Sequence, residues 1–205
     1  YARSARLKRR RNKMPVRSLL IVGVGGQGAI LVSKILTRGL IKAGYDVKMS
    51  EVHGMSQRGG SVSTQIRYGD KVYSPIIGEG QADMLISFEK MEAVRYSHFL
   101  KKDGTAVIND YEIVPMSVAS GMCEYPEGTV EAMQKNFKTV VLDAGHIAVE
   151  LGNARCMNIV LLGAMIKATG MTDIDWEEVL KEVLPEKILD INLKAFRAGF
   201  EHQGE

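Results

Sequence analysis

The stretch SLLIVGVGGQG, residues 18–28, constrains the fold more than any other part of the sequence. It opens with a continuous apolar run ending in glycine, which is typical of a strand buried on both faces of a parallel sheet. Val32, Leu36 and Leu40 then recur at helical spacing, which predicts a helix. DVKMSE, residues 46–51, resumes as a strand, so the sequence predicts a βαβ unit with a glycine loop after its first strand.

Further short apolar runs extend the predicted sheet. Apolar and polar residues alternate from Val62 to Tyr68, and Gly69-Asp70 indicates a tight turn into Val72, so we expect a hairpin at the sheet edge. Three more runs, each next to helix-like sequence, favour mainly parallel strands: ADMLIS (82–87), TAVIND (105–110) and KTVVLD (138–143).

The C-terminal part of the chain is predicted to be helical. A broad apolar face runs from Met157 to Ala168 in a first helix. Thr172 or Asp173 is the expected cap of a second helix, and Pro185 the expected start of a third. The core-facing positions expected in the third helix are Ile188, Ile191 and Ala195.

These patterns define the expected fold class as α/β. The chain should form a single three-layer Rossmann-like domain over residues 14–205, with a mainly parallel sheet, an edge hairpin and a helical C-terminal part. Residues 1–13 form a basic arm, which we interpret as disordered or not native, with Met14 as a natural start. The whole chain has 27 basic and 24 acidic residues, and seven of the basic ones lie in the arm, so the remainder carries a net charge of −4.

Composition excludes several classes of protein. No apolar run approaches the roughly 18 residues of a membrane span. Cys123 and Cys156 lie far apart without Cys-x-x-Cys spacing, so neither a disulfide framework nor a metal site is expected. A reducing cytoplasm fits this cysteine usage best.

The glycine loop has the form Gly23-x-Gly25-x-x-Gly28, with Gly26 in addition. Glycines at this place let the backbone turn tightly and let an anion approach the N–H groups at the positive end of the helix. An alanine follows Gly28 where a phosphate-binding P-loop has lysine, which argues against a nucleoside triphosphatase. A dinucleotide fingerprint fits better, with Glu51 as the acid for a ribose hydroxyl. Alternatively, the glycines only allow close packing of helix and strand.

A second polar loop, within EVHGMSQRGG (residues 51–60), follows the second predicted strand. Both loops should leave the carboxyl edge of the sheet and face each other, where ligands of open α/β folds bind. Arg58 would supply a charged fork for a phosphate or carboxylate, and His53, Ser56 and Gln57 neutral hydrogen bonds. Alternatively, these polar groups cap the neighbouring hairpin and helix.

Four segments resemble the gamma-type subunit or domain of the 2-oxoacid:ferredoxin oxidoreductases. They are GVGGQG, SEVHGMSQRGGSV, GQADMLISFEKMEAVRY and GNARCMNIVLLGA, and the resemblance runs from about Arg17 to Phe200. Within that family, the form HGMSQRGG is most similar to the beta subunit of the indolepyruvate ferredoxin oxidoreductases. The resemblance implies a single α/β domain, in agreement with the patterns above.

The resemblance also implies an activity that needs a partner. Enzymes of this family decarboxylate a 2-oxoacid on thiamine diphosphate, pass electrons through iron–sulfur clusters to ferredoxin and release an acyl-CoA. Two cysteines cannot ligate a four-iron cluster, so the clusters and thiamine diphosphate are expected on a larger alpha-type subunit. The chain would bind no cofactor alone, meet ferredoxin only indirectly and form a homodimer when isolated. Its expected role is to close the active site and help bind coenzyme A or the substrate, indolepyruvate or another arylpyruvate.

Site residues follow from the same resemblance. The implied binding surface consists of Gly25, Gly26, Gln27, Gly28, His53, Ser56, Gln57, Arg58 and Asn153. Asn158 is a further candidate for this surface, although a satisfied core amide is the favoured interpretation, and His146 could line the same cleft. Glu89 and Glu92 are interpreted as structural charges in the first turn of a helix. No catalytic residue and no metal ligand is assigned.

Two other functions stay open from the residues alone. One is a free-standing NAD-dependent Rossmann-type reductase that uses Glu51. The other is an anion- or nucleic-acid-binding module that acts through the basic arm. The arm lacks interleaved aromatic residues and is joined to an acidic body, so nucleic acid is not the expected partner.

Overall fold

The first strand, β1 (Arg17–Val24), contains the apolar run that opens the sequence, and every residue after Arg17 is buried. In the computed structural model, which describes residues 14–53 and 59–202, β1 lies inside a six-stranded sheet. The other strands are β2 (Asp46–His53), β3 (Ser61–Gly69), β4 (Ala82–Ser87), β5 (Leu100–Asn109) and β6 (Lys138–Leu142). Their order across the sheet is β2-β3-β1-β4-β5-β6.

The position of β3 differs from the prediction. β1, β4, β5 and β6 are parallel as expected, but β3 lies between β1 and β2 and runs antiparallel to both. A hairpin does lie at the sheet edge, yet its strands are β2 and β3. The prediction that Val72 begins its second strand is wrong, since residues 70–81 contain no strand. Ser63, Thr64, Ile66 and Tyr68 of β3 are all buried, in keeping with an interior strand.

Helices cover both faces of the sheet, which confirms the three-layer α/β architecture. They are α1 (Ala29–Lys42), α2 (Lys90–Arg95), α3 (Met116–Ala119), α4 (Thr129–Asn136), α5 (Ala144–Glu150), α6 (Met157–Thr169), α7 (Trp176–Val183) and α8 (Glu186–Glu201). Leu19 and Ile21 of β1 share a core with α1 and α5 to α8. Leu20 and Val22, on the other face, pack with residues of α2 and α4. Alternate side chains of β1 therefore pack into two separate cores, one on each face of the sheet.

The C-terminal helices follow the predicted order, with two corrections. α7 is capped by Asp175, whose carboxylate accepts the N–H of Glu178 at 3.0 Å, and not by Thr172 or Asp173. At the start of α7 the ring of Trp176 packs onto α1 at Gly39, where a methyl group would lie 2.4 Å from that ring. α8 starts after Pro185 as expected.

The buried stripe of α8 is the second correction. Ala195 is buried as predicted, but Ile188 is exposed and Ile191 only partly buried. The fully buried positions are Asn192, Ala195, Phe196 and Gly199. The stripe is set by the crossing of α8 with α6, not by the apolar residues alone.

Two glycines let α6 and α8 touch through their backbones. A methyl group at Gly199 would lie 1.9 Å from the carbonyl oxygen of Val160, and one at Gly163 would lie 2.1 Å from that of Phe196. Neither contact can be relieved by a rotamer change, because both partners are backbone atoms of helices. The pair therefore fixes how closely the C-terminal helices approach.

Two predicted features lie outside the described residues: the basic arm, residues 1–13, and the middle of the connection between β2 and β3, residues 54–58. None of the described helices is both long and apolar enough to cross a membrane.

Gly199→Ala tests the crossing of α6 and α8. We expect it to lower the free energy of unfolding by roughly 3 kcal/mol, because the methyl group forces two packed helices apart. Gly145→Ala is the matched control: it also lies in a helix, but its methyl group would come no closer than 3.3 Å to another atom, the Asp143 carboxylate oxygen. Its expected change is within about 1 kcal/mol. Urea unfolding measures both, and equal effects would contradict the close crossing.

Candidate functional site

A cavity of about 350 Å³ opens at the carboxyl edge of the sheet, where β1 and β2 end. One wall is the glycine loop with the first turn of α1, and the other is the end of β2 with the start of β3. The described lining consists of Val24, Gly25, Gly26, Gly28, Ala29, Ile30, Glu51, Val52, His53, Val62, Ser63 and Thr64. The connections after the first two strands therefore meet at one cavity.

Backbone hydrogen bonds hold the glycine loop against the start of β3. The N–H of Gly25 donates to the carbonyl of Gly60 over 2.8 Å. The N–H of Gly59 donates back to the carbonyl of Gly25 over 3.4 Å. These bonds continue the pairing of β1 with β3 beyond the strands, so the return of the β2–β3 connection is fixed beside the glycine loop.

The start of α1 presents the positive end of its dipole at this cavity. Gly28, with φ 88°, is the N-cap and offers no side-chain cap, and the first turn contains no acidic residue. A methyl group at Gly28 would also lie 2.4 Å from Nδ2 of Asn158. Glycine is thus required here both by conformation and by space. The arrangement suits an anionic group of a ligand.

The resemblance implies that Gln27 contacts a ligand, but its side chain does not line the cavity. Its Oε1 accepts the N–H of Val24 at 2.7 Å, and its Nε2 donates to the carbonyl of Phe88 at 2.9 Å. Phe88 directly follows β4, so the amide ties the ends of β1 and β4 together. We therefore assign Gln27 to positioning the glycine loop.

The Gln27 bridge also fills the place where a doubly wound sheet binds dinucleotides. α1 and α2 leave β1 and β4 on opposite faces, so the switch point lies between these strands. A side chain at Gly23 would lie 2.8 Å from Gln27 Oε1 and 2.9 Å from Phe88 Cβ, which leaves no open crevice. Glu51 lines the same cavity as the glycine loop, but its carboxylate already accepts a hydrogen bond from Ser33 at 3.3 Å. The filled gap between β1 and β4 argues against an NAD site at the switch point.

The asparagines near α6 do not line the cavity either. Asn153 Oδ1 accepts the N–H of Arg155 at 3.0 Å and caps the short 3₁₀ helix Ala154–Cys156, so its side chain serves the fold at this position. Asn158 is buried in the first turn of α6, and its Nδ2 donates to the carbonyl of Gly28 at 3.4 Å. Its Oδ1 is buried and has no hydrogen-bond partner among the described residues.

Two histidines were candidates for the site, and only one lines the cavity. His53 ends β2 opposite Val62 and lies in the cavity wall. His146 lies exposed on α5, with its Nδ1 3.8 Å from the carboxylate of Glu150. Residues 56–58, which carry the predicted hydroxyl, amide and guanidinium groups, lie outside the described residues, so their role stays a prediction.

Glu89 and Glu92 form a buried pair of carboxylates at the start of α2. Glu89 Oε2 accepts the N–H of Glu92 at 2.9 Å and caps the helix, which confirms the structural interpretation. Glu92 Oε2 accepts a hydrogen bond from the hydroxyl of Ser61, the residue after Gly60. Burial raises the pKa of Glu92 above its usual range, although the Ser61 hydrogen bond opposes the shift. α2 thus supports the rim of the cavity.

Sequence reasoning missed Ile30, Val62 and Thr64, which also line the cavity. Val62 and Thr64 lie on one face of β3, and the alternating pattern of the sequence did predict that they share a face. The face that meets α1 depends, however, on the pairing of β3 with β1, which a local pattern does not reveal.

The described residues offer little to an iron–sulfur cluster or a metal ion. Cys123 is exposed and Cys156 is buried, and two thiols are too few for the four thiolates of a cluster. No group of three or more His, Cys, Asp or Glu side chains within residues 14–53 and 59–202 is arranged to hold a metal ion.

Comparison with known proteins identifies the class. The chain belongs to the pyruvate ferredoxin/flavodoxin oxidoreductase family, whose profile matches residues 18–202. It shares its fold with the gamma subunit of a keto/oxoacid ferredoxin oxidoreductase from Geobacter sulfurreducens, at a TM-score of 0.66 and 26% identity, over 90% of this chain and 96% of that one.

Two relatives are more similar in sequence. The chain is 40% identical to indolepyruvate oxidoreductase subunit IorB of Pyrococcus horikoshii, over 89% of this chain and 93% of the relative. It is 39% identical, with the same coverage, to the subunit IorB of Archaeoglobus fulgidus. The resemblance indicated by the sequence motifs is thereby confirmed, and with it a role as an oxidoreductase subunit.

Glu92→Gln tests the buried carboxylate beside the cavity. Because burial holds the pKa of Glu92 in the folded protein above its pKa in the unfolded chain, the folded protein binds more protons than the unfolded chain between these two pKa values. The free energy of unfolding therefore falls as pH rises through that window. The glutamine keeps an acceptor for Ser61 and cannot ionise, so we expect a smaller fall in the variant.

Urea unfolding from about pH 4 to about pH 8 measures this difference. Glu127→Gln, at an exposed glutamate, is the control and should keep the pH dependence of the wild type. If Glu92→Gln kept that dependence as well, Glu92 would not be a source of it.

Proposed function

We propose that the chain is the smaller, cofactor-free subunit of a ferredoxin-dependent oxidoreductase that acts on indolepyruvate or another arylpyruvate. The similarity to two IorB subunits at 39% and 40% identity supports this substrate class. The chain would help to close the active site and to bind coenzyme A or the substrate during oxidative decarboxylation to an acyl-CoA.

The observation that carries this proposal is the cavity at the carboxyl edge. Its volume of about 350 Å³ is enough for a small 2-oxoacid or for one part of coenzyme A. Glycine backbone forms much of one wall, and the uncapped start of α1 adds a positive potential without a charged side chain. Such a half-site gains its remaining walls when a second polypeptide covers it.

Each proposed contact has a chemical reason. The backbone at Gly25, Gly26 and Gly28 allows close approach of a phosphate or carboxylate to the start of α1. His53 adds a hydrogen bond from the opposite wall. Ser56, Gln57 and Arg58 remain proposed contacts from the sequence, with Arg58 as a bidentate partner for an anion.

Thiamine diphosphate and the iron–sulfur clusters are proposed to lie on the larger alpha-type subunit, because the two cysteines of this chain cannot supply a cluster. Bound there, they would provide decarboxylation and electron transfer to ferredoxin. The contribution of this chain is to orient ligand groups and exclude water. Alone it is expected to be inactive and to dimerise, and its two free thiols suit the reducing cytoplasm.

Co-expression with the candidate large subunit tests the proposal. The purified complex is assayed with a viologen acceptor over several 2-oxoacids in the presence of coenzyme A. We expect activity from the complex only, with the highest kcat/KM for an arylpyruvate. Activity of this chain alone, or full activity of the large subunit without it, would contradict the proposal.

Ile30→Asp tests anion binding at the start of α1. An aspartate here places a negative charge at the cavity, and we expect the KM for coenzyme A to rise about tenfold. The free energy of unfolding should stay the same or rise slightly, because an acidic residue suits a helix N-terminus. Ile30→Asn, of the same shape without the charge, is the matched control. An equal rise in KM for both variants would count against an anion at this position.

A further inference from the structure

Residues 110–125, here called the edge segment, follow β5 at the carboxyl edge of the sheet and expose several large apolar side chains. Met116 and Met122 are 81% and 76% exposed, and Tyr111 and Val114 are about half exposed. Methionine and aromatic residues are enriched in protein interfaces, where the flexible thioether adapts to a partner. Four large apolar side chains are thus exposed within residues 111–122, a composition that suits an interaction surface.

A buried carboxylate holds the edge segment in place. Oε1 of Glu89 accepts the N–H of Ile113 at 3.4 Å and also accepts the hydroxyl of Tyr125. The N–H of Lys90 donates to the carbonyl of Tyr111 at 3.0 Å. Two distant parts of the segment are thus tied to one fully buried side chain. The exposed side chains are displayed from an ordered backbone, which lowers the entropy lost on binding.

The charge around the edge segment points to the chemistry of its partner. Residues 110–131 contain five acidic side chains and no Lys, Arg or His. Lys90 pairs with Asp110 at 3.1 Å and with Glu112 at 2.7 Å, so one cation of α2 serves two of these acids. Two copies joined through this surface would bring the same acidic side chains together across a two-fold axis and repel each other, so the expected homodimer would use another face. The charge of the edge segment instead suits a different polypeptide, one that presents an apolar surface surrounded by basic residues.

The same helix start connects the edge segment with the candidate cavity. Glu89 anchors the segment, and Glu92, one turn further along α2, accepts the hydroxyl of Ser61 at the rim of the cavity. A polypeptide that covers the cavity from the carboxyl edge would therefore contact both the edge segment, which Glu89 holds, and the cavity rim, which Glu92 holds.

We propose that the edge segment is the docking surface for the larger subunit, which meets it with an apolar patch surrounded by basic residues. This inference rests on the proposed function, because it takes the larger subunit as the partner. It adds the place of contact and the chemistry that the partner must present.

The test uses the full chain and the large subunit with which it is co-expressed. Met116→Glu/Met122→Glu should weaken binding at least about tenfold, since it places charges where apolar groups are buried. Tyr73→Glu/Ile76→Glu is the matched control, because these two exposed apolar side chains follow the end of β3 at the opposite edge of the sheet. It should bind as the wild type does. Affinity is measured by biolayer interferometry at two salt concentrations, and melting temperatures verify that both variants fold.

A selective loss in the first variant, together with a wild-type affinity that falls as salt rises, supports the docking surface. Wild-type affinity in both variants, equal losses in both, or no salt dependence would overturn it. If the first variant kept its affinity for the large subunit but turned a dimer of the isolated chain into a monomer, the surface would belong to a second copy. If the wild-type chain failed to bind the large subunit at all, the proposed function would fail as well.

Discussion

Antiparallel pairing of β3 with both β1 and β2 determines where this sheet can hold a ligand. Because β3 starts at the edge where its two neighbours end, three segments of backbone meet there: the end of β1, the end of β2 and the residues before Ser61. The bonds between Gly25 and residues 59–60 then hold the glycine loop to that junction. Strand pairing thus sets the position of the cavity wall. Backbone hydrogen bonds, more than side-chain contacts, determine where the lining residues lie.

The glycine loop resembles a dinucleotide fingerprint, but its surroundings place the open space elsewhere. In a doubly wound sheet the crevice lies between the strands whose helices leave on opposite faces. Here the amide of Gln27 spans that gap with two hydrogen bonds. A ligand that displaced the amide would leave a buried backbone group without a hydrogen bond, at a cost of about 1–3 kcal/mol. The accessible side of the loop is therefore the one facing β3 and β2. The same glycine motif can therefore bind a ligand on its other side when one side chain fills the usual crevice.

Local patterns predicted β1 and β4 from continuous apolar runs, and α1 and α6 from apolar residues at helical spacing. The neighbours of β3 were not predictable in this way, since an alternating strand fits an edge or an interior position equally well. The Gly69-Asp70 pair looked like a hairpin turn, yet the Asp70 carboxylate accepts the N–H of Met14 at 2.9 Å.

At the site, the sequence located the glycine loop and His53, both of which line the cavity. It did not reveal the role of Gln27, because that role depends on Phe88, which is distant in the chain and near only after β1 and β4 have paired. The same limit applies to Glu92 and Ser61, which come together only in the finished fold.

The strand order also bears on how the chain assembles during synthesis. β1 leaves the ribosome before every strand that it pairs with, and its first partner, β3, is complete only when Gly69 has been made. β2 and β3, by contrast, are consecutive in the chain and can close locally. β1, which is apolar from Leu19 to Val24, therefore stays unpaired until later strands are made, and in that interval it is exposed to premature association with other chains.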